Sequence, residues 1–194
     1  MSRLVVSCST FLTNSCLIIF KHADVKADNW VLTSSPKDRN LAGTNAVGGY
    51  DLMLVDFGRS IDLEKVASRG SDPLQTQFTG SVAAEDMECG SMRKGLPWGI
   101  DLDFFGLAAS SFLLLFGSHV EVIEDRKTGK WRVAKPLRRY WQRELWESLF
   151  DSLLNFNAST GKYCLADIRS GFDEYIDGKQ RKQEIASHLQ QLKI

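Results

Sequence analysis

Two short apolar runs near the start of the chain predict a pair of β-strands. Residues 30 to 33 read Trp-Val-Leu-Thr and residues 52 to 55 read Leu-Met-Leu-Val, and both runs are rich in residues that favour strands. The stretch between them, residues 34 to 50, is rich in Gly, Asn and Ser and contains a proline, which is typical of a loop. We therefore expect two paired strands joined by a long polar connection.

Residues 59 to 98 form a long stretch without sustained periodicity. Glycines, serines, charged residues and two prolines are scattered through it, so the pattern predicts an extended segment rather than a helix. Long loops of this kind often carry function.

Residues 104 to 117 form an almost continuous apolar stretch, Phe-Phe-Gly-Leu-Ala-Ala-Ser-Ser-Phe-Leu-Leu-Leu-Phe-Gly. It is too short to cross a bilayer and is apolar on nearly every side, so we expect a helix buried at the centre of the domain. Asp101 and Asp103 precede this stretch. Carboxylates at that position accept backbone N–H groups and complement the helix dipole.

The last third of the chain predicts a hairpin and two helices. Residues 119 to 124 and 130 to 134 flank the turn-like sequence Asp-Arg-Lys-Thr-Gly, which indicates a solvent-facing hairpin. Apolar residues then recur every three or four positions between Leu137 and Asn155, as in an amphipathic helix packed on the core. A helical pattern returns from Phe172 to Leu192. The predicted fold class is α+β, mainly α, with a few short strands.

Composition narrows the classes of function. With 194 residues, of which 43% are hydrophobic, the chain can bury the core of one domain. Lys+Arg and Asp+Glu are equal at 24 each, so no overall field favours nucleic acid or anionic lipid, and we expect neither nucleic-acid nor membrane binding. Scattered cysteines, without a Cys-x-x-Cys pair, favour neither a zinc site nor a disulfide framework; they are Cys8, Cys16, Cys89 and Cys164.

One arrangement of polar residues is hard to obtain by chance. The chain reads His-Ala-Asp-Val-Lys-Ala-Asp-Asn at residues 22 to 29 and, after the second predicted strand, Asp-Phe-Gly at residues 56 to 58. Taken singly, these could be turn, cap or strand-end residues, but that interpretation does not explain their order. Phosphoryl transfer does, because it needs a carboxylate to orient a hydroxyl and oxygen ligands for Mg²⁺. Asp24 suits the first task, Lys26 a contact to the transferred phosphate, and Asn29 with Asp56 the metal, while Gly58 permits a sharp turn.

These motifs resemble those of the protein kinase superfamily, and the residues around them resemble its mitotic checkpoint branch, the Bub (budding uninhibited by benzimidazoles) Ser/Thr kinases. Further matching segments are Asp-Phe-Gly-Arg-Ser-Ile-Asp at 56 to 62, Pro-Trp at 97 to 98 and Asp-Phe-Phe-Gly-Leu-Ala-Ala at 103 to 109. The similarity predicts a kinase C-lobe at residues 18–194. Residues 1–17 fall outside it; they contain part of an apolar run that is diluted by polar residues and lacks a signal-peptide cleavage site.

The resemblance implies ATP and Mg²⁺ as cofactors and a role for each motif residue. Asp24 would be the catalytic base and Lys26 the phosphate contact, while Asn29 and Asp56 would be the magnesium ligands. Val31 would pack against the adenine ring. His22 and Phe57 would belong to a hydrophobic spine that rests on the buried helix, and Asp103 would anchor the catalytic loop.

The sequence also departs from the kinase pattern. Ala23 stands where many kinases have the Arg that pairs with a phosphate on the activation segment. No Ala-Pro-Glu motif ends that segment; residues 89 to 92, Cys-Gly-Ser-Met, occupy its place, which leaves the anchoring of the substrate loop open. The Gly-rich loop, the Val-Ala-Ile-Lys strand and the partner Glu helix are not found either. We therefore expect a C-lobe without its N-lobe, and weak ATP binding.

Two functions remain in competition at this point. The first is a Ser/Thr kinase of the spindle checkpoint, with protein substrates such as a histone tail and with checkpoint and kinetochore proteins as partners. The second is a non-catalytic, kinase-like interaction module at the kinetochore. Both imply a location in the nucleus at the kinetochore or chromosome, with the cytoplasm as the alternative.

Overall fold

The computed structural model describes residues 20–34, 50–67, 72, 75–80, 87–156, 165–177, 183–184 and 187. The predicted segment 1–17, the cysteines at 8, 16 and 164 and most of residues 178 to 192 lie outside these ranges. The elements are strands β1 (Phe20–Lys21), β2 (Trp30–Ser34), β3 (Tyr50–Leu54), β4 (Ile61–Asp62), β5 (Val122–Glu124) and β6 (Trp131–Val133), and helices α1 (Leu63–Val66), α2 (Gly90–Arg93), α3 (Asp101–Phe116), α4 (Arg143–Leu154) and α5 (Leu165–Asp177).

The predicted strand pair is confirmed as β2 and β3. They run antiparallel, from Trp30 opposite Leu54 to Ser34 opposite Tyr50. A second antiparallel pair joins β1 to β4, with Lys21 opposite Ile61. Because β1 leads directly into His22 and β4 follows Asp-Phe-Gly, the two pairs bring both halves of the polar motif to the same edge of the molecule.

The central helix α3 is buried as predicted. Its buried face includes Leu102 and the unbroken run from Phe104 to Phe112, so the helix is enclosed on most sides. It ends at Gly117, whose positive φ of 67° is a conformation that favours glycine. At Gly106 a Cβ atom would overlap the carbonyl oxygen of Val25 and lie 2.7 Å from its Cβ. The helix backbone therefore touches the loop that follows His22.

The starts of the two C-terminal helices differ from prediction. α4 begins at Arg143 rather than Leu137, because residues 138 to 141 form a turn closed by the N–H of Trp141 on the carbonyl of Arg138, 3.1 Å. Leu137 and Trp141 still pack against the core from this turn. α5 begins at Leu165 rather than Phe172. The two helices meet where the Trp146 and Phe172 rings lie 4.9 Å apart.

The hairpin of β5 and β6 is confirmed, with Val122 opposite Val133. It does not face only solvent, because Trp131 is half-buried and packs against the core. The predicted extended segment contains the two short helices α1 and α2. Within the described ranges, no helix is both long enough and apolar enough to cross a membrane.

Candidate catalytic site

The loop after β1 brings three predicted site residues into contact. The carboxylate of Asp24 is 2.9 Å from the ammonium of Lys26. The amide NH₂ of Asn29 donates to the backbone oxygen of Asp24 at 2.9 Å and to its carboxylate at 3.3 Å. Arg59, which was not predicted, lies 3.5 Å from the other carboxylate oxygen. Arg59 directly follows Asp-Phe-Gly, but this position alone gave no signal that its side chain would reach Asp24.

The charge state of Asp24 follows from these contacts. Burial alone would raise the pKa of Asp24, but the hydrogen bond and charge of Lys26, the hydrogen bond from Asn29 and the charge of Arg59 outweigh burial and lower the pKa. The carboxylate is therefore ionised at neutral pH. Its ionised form contributes stability that is lost only as the pH falls through this lowered pKa. An ionised carboxylate is the form that can accept a proton.

Asp103 fixes this loop to the central helix, the role implied by resemblance. Its two carboxylate oxygens accept the backbone N–H groups of His22, 2.8 Å, and Ala23, 2.7 Å. Burial raises the pKa of Asp103, and these two hydrogen bonds act in the opposite direction. Ala23 has a positive φ of 58° and Asp56 one of 64°; among the described residues no other non-glycine has a positive φ. Such a conformation costs about 1–2 kcal/mol for an L-residue and clusters at functional sites.

Asp56 is placed beside the loop of residues 22 to 29 by the residue before it. The N–H of Val55 donates to the carbonyl of Asn29 at 2.9 Å, and the carbonyl of Val55 accepts from Nε2 of His22 at 3.0 Å. Asp56 itself is exposed and accepts a long hydrogen bond of 3.4 Å from the N–H of Gly58. The sharp turn predicted at Gly58 is thus made at Asp56, because Asp56 and not Gly58 has the left-handed backbone.

The remaining predicted residues lie around this loop. His22 is buried, and its ring meets that of Phe57 edge to face with the centroids 4.8 Å apart. Phe57 is nevertheless 49% exposed, so the pair is covered on one side only. Val31 is 43% exposed on β2, opposite Met53, which is 48% exposed. The surface predicted to meet adenine is therefore an open apolar face.

The donor set fits Mg²⁺ delivered with a nucleotide. Because the NH₂ of Asn29 is committed to Asp24, the oxygen is the atom of its amide that remains for a cation. Asp56 adds an exposed carboxylate. In the described part of the chain, no group of three or more His, Cys, Asp or Glu residues could hold a metal ion. Mg²⁺ commonly uses only one or two protein oxygens and completes its shell with phosphate and water.

The end of the predicted activation segment is attached to α3. The buried Cys89 thiol donates to the Asp101 carboxylate at 3.1 Å. Burial and the charge of Asp101 raise the pKa of Cys89 to about 12, so the thiol keeps its proton at neutral pH and remains a donor. Phe78 and Trp98 exchange two backbone hydrogen bonds of 2.8 and 2.9 Å. These contacts tie residues 89 and 98 to α3 and to Phe78.

Comparisons with known proteins agree with this geometry. No family model matches the chain. The chain is 33% identical over 140 residues, 69% of its length, to the spindle assembly checkpoint serine/threonine-protein kinase BUB1 of Saccharomyces cerevisiae. It is 34% identical over 148 residues to bub1 of Schizosaccharomyces pombe and 33% identical over 145 residues to the mitotic checkpoint kinase BUB1 of Mus musculus. The chain spans only 12–13% of the length of these relatives.

A solved structure gives the same result for the fold. The crystal structure of the BubR1 kinase domain superposes with a TM-score of 0.77 and 25% identity, covering 96% of this chain and 51% of that one. The resemblance predicted from the sequence is therefore confirmed in both sequence and architecture.

Proposed function

We propose that this chain, which has a Bub-like kinase fold, is the catalytic C-lobe, residues 18–194, of a Ser/Thr protein kinase of the spindle checkpoint type. The observation that carries the proposal is the environment of Asp24. Its ionised carboxylate lies 2.9 Å from a lysine ammonium, and Asp103 holds the same loop against the central helix. A fixed, ionised carboxylate beside a cation is what proton acceptance during phosphoryl transfer requires.

In this mechanism, Asp24 orients the hydroxyl of a Ser or Thr substrate and accepts its proton. Positioned bases contribute about 10²–10⁴-fold to rates. Lys26 would stabilise the negative charge that develops on the transferred phosphoryl group. Asn29 and Asp56 would hold magnesium, and Val31 would pack under adenine. When bound, Mg²⁺ and ATP supply the phosphoryl group and neutralise charge between the phosphates.

The relatives' names guide the proposal for substrates and partners. They are described as spindle assembly or mitotic checkpoint serine/threonine-protein kinases. By this likeness we propose protein substrates such as a histone tail, checkpoint and kinetochore proteins as partners, and a location in the nucleus at the kinetochore.

One observation favours the second candidate, a non-catalytic interaction module. Val31 and Met53 are cross-strand neighbours, 43% and 48% exposed, and exposed apolar surface is typical of a contact with another protein. This candidate needs no nucleotide, so nucleotide binding separates the two.

The test is Mg·ATP binding by calorimetry, followed by phosphate transfer to a histone-tail peptide at millimolar ATP. Asp56→Ala is expected to abolish binding. Asp24→Asn should leave binding unchanged but lower transfer by about 100-fold or more. Asp28→Asn is the matched control, because it removes an exposed carboxylate from the same loop, and should change neither quantity. A folded chain that does not bind Mg·ATP, or transfer that survives Asp24→Asn, would overturn the catalytic proposal and favour the interaction module.

A further inference from the structure

The short helix α2 stands at the end of the predicted activation segment, within residues 87–98, which are called the substrate loop. Cys89, directly before it, is tied to Asp101 of α3. After the helix, the N–H of Leu96 returns to the carbonyl of Ser91 at 2.9 Å. A helix of four residues cannot hold itself in place. Its position must therefore depend on the elements that it touches.

The first outside contact is with Trp131 of the β5–β6 hairpin. A Cβ atom at Gly90 would lie 2.6 Å from Nε1 and 2.8 Å from Cδ1 of this indole, closer than real Cβ contacts come. The first residue of α2 thus rests with its backbone directly on the ring. Any larger residue at position 90 would have to displace Trp131.

The second contact is made by Lys94, directly after α2. Its ammonium is 2.5 Å from the carboxylate of Glu124 on β5 and 5.7 Å from the centroid of the Trp131 ring. Both side chains of the ion pair are about two-fifths exposed, 39% and 38%. Solvent partly screens this ion pair, so it contributes only modestly to holding α2 in place.

The hairpin is itself held by α4. The N–H of Trp131 donates to the side-chain oxygen of Asn155 at 2.6 Å, and the NH₂ of Asn155 donates back to the carbonyl of Trp131 at 2.8 Å. Lys130 adds an ion pair of 3.0 Å with Asp151. Since α4 packs on the core through Leu149, Phe150 and neighbouring residues, the hairpin forms a bridge from the core to α2.

A cavity of about 840 Å³ lies beside this bridge. Its lining includes Ser91 and Lys94 on one side, Trp131 and Asn155 on another, and Phe105 of α3. On the cavity side, α2 is held by Trp131 and the Lys94–Glu124 pair. On its other side, Met92 packs against the core and the Arg93 guanidinium lies 5.7 Å from the Phe105 ring centroid.

We propose that the β5–β6 hairpin positions the substrate loop, with Trp131 as the main positioning residue and the Lys94–Glu124 pair as its second contact. This inference rests on the proposed function, because it assigns α2 to the placement of a protein substrate. Disturbing the hairpin should raise the KM for the protein substrate and leave Mg·ATP binding unchanged.

The test is hydrogen exchange of the whole chain, followed by mass spectrometry of peptides covering residues 87–98. Trp131→Ala is expected to speed exchange in this segment about tenfold while α3 stays protected. Gly90→Ala should also speed it, but should add nothing in the Trp131→Ala background, because the clash requires the indole. Lys94→Glu should speed exchange about threefold, and the swap with Glu124→Lys should restore it. Lys127→Glu, at the exposed hairpin tip, is the matched control.

The outcomes separate this inference from the proposed function. Unchanged exchange at residues 87–98 in Trp131→Ala, or an equal increase in α3, would overturn the positioning role. A local increase that the charge swap reverses supports it, and because exchange needs neither nucleotide nor turnover, this holds even if phosphate transfer fails. Where transfer is measurable, a raised peptide KM at constant Mg·ATP affinity supports the inference. A lowered kcat at constant KM contradicts it.

Discussion

Lys21 carries the least expected charge in the molecule. It directly precedes His22 and is only 1% exposed, with its ammonium 4.4 Å from the centroid of Phe78 and 5.1 Å from that of Trp98. Burial lowers the pKa of Lys21 to about 8, against the charges of Asp103 and Asp101, which raise it. No sequence pattern revealed this, because the two rings come from residues far along the chain.

The lowered pKa makes stability depend on pH in an unusual direction. An unfolded lysine has a pKa of 10.5, so between pH 8 and 10.5 the unfolded chain binds more protons than the folded chain. The contribution of Lys21 to the free energy of unfolding therefore rises with pH across this window.

Lys21→Met keeps the aliphatic stem and removes the charge. We expect it to raise the free energy of unfolding at pH 7 by about 1–3 kcal/mol, since attraction to the two rings offsets part of the burial cost. Urea denaturation at pH 7 and 9.5 measures this, and the gain should shrink at the higher pH. Lys65→Met, whose side chain is 82% exposed, is the control. A loss of stability in Lys21→Met at pH 7 would mean that the rings stabilise the ammonium by more than its burial costs.

Motif residues and long-range contacts differed in how far the sequence could predict them. Asp24, Lys26 and Asn29 were found because they lie within one short loop in a recognisable order. Arg59 contacts Asp24, which lies 35 positions earlier in the chain, and Cys89 bonds to Asp101, 12 positions later. Such contacts depend on how the chain is folded in space, and local spacing does not encode them.

At the scale of elements, the approach of α3 to the loop of residues 22 to 29 depends on one glycine. Gly106→Ala would drive a methyl group into the carbonyl of Val25, which is backbone and cannot rotate away. We expect a loss of more than about 3 kcal/mol in the free energy of unfolding. Gly117→Ala is the control: it has no neighbour within 4 Å but a φ of 67°, so it should cost only about 1 kcal/mol. Denaturant midpoints compare the two, and equal losses would refute the close approach.

Short segments with a clear composition predicted three elements. α3 is apolar on nearly every side, β2 and β3 are apolar runs of strand-forming residues, and the hairpin flanks a turn sequence. The start of α4 was missed because Leu137 and Trp141 reach the core from a turn, and apolar spacing does not distinguish a turn from a helix. The start of α5 had a signal, since Ile168, Phe172 and Ile176 are buried at helical spacing. α1 and α2 are too short to show any period.

At the scale of the whole molecule, the strand pair β2–β3 presents an uncovered apolar face. Val31 and Met53 are cross-strand neighbours, and both are more than two-fifths exposed, at 43% and 48%. Neighbouring exposed apolar side chains favour association between copies or with a partner.

The double variant Val31→Thr, Met53→Gln should raise the concentration at which the chain self-associates by about tenfold, because it removes apolar area from the contact. Sedimentation velocity measures this. Leu114→Gln changes an apolar side chain that is 54% exposed on α3 and serves as the control. Equal effects of the two changes would mean that association is driven by general hydrophobicity and not by this face.

Ala23 and Asp56, the two non-glycine residues with left-handed backbone among those the structure describes, store conformational strain at the site. Each is held in a costly backbone conformation by bonds from elsewhere, Ala23 by the Asp103 carboxylate and Asp56 through the bonds of Val55. When those bonds weaken, the backbone of these two residues relaxes to an ordinary conformation while the core stays folded. On warming, the chain should therefore lose the arrangement around Asp24 before it melts, so that functional lifetime and thermal stability are set by different parts of the molecule.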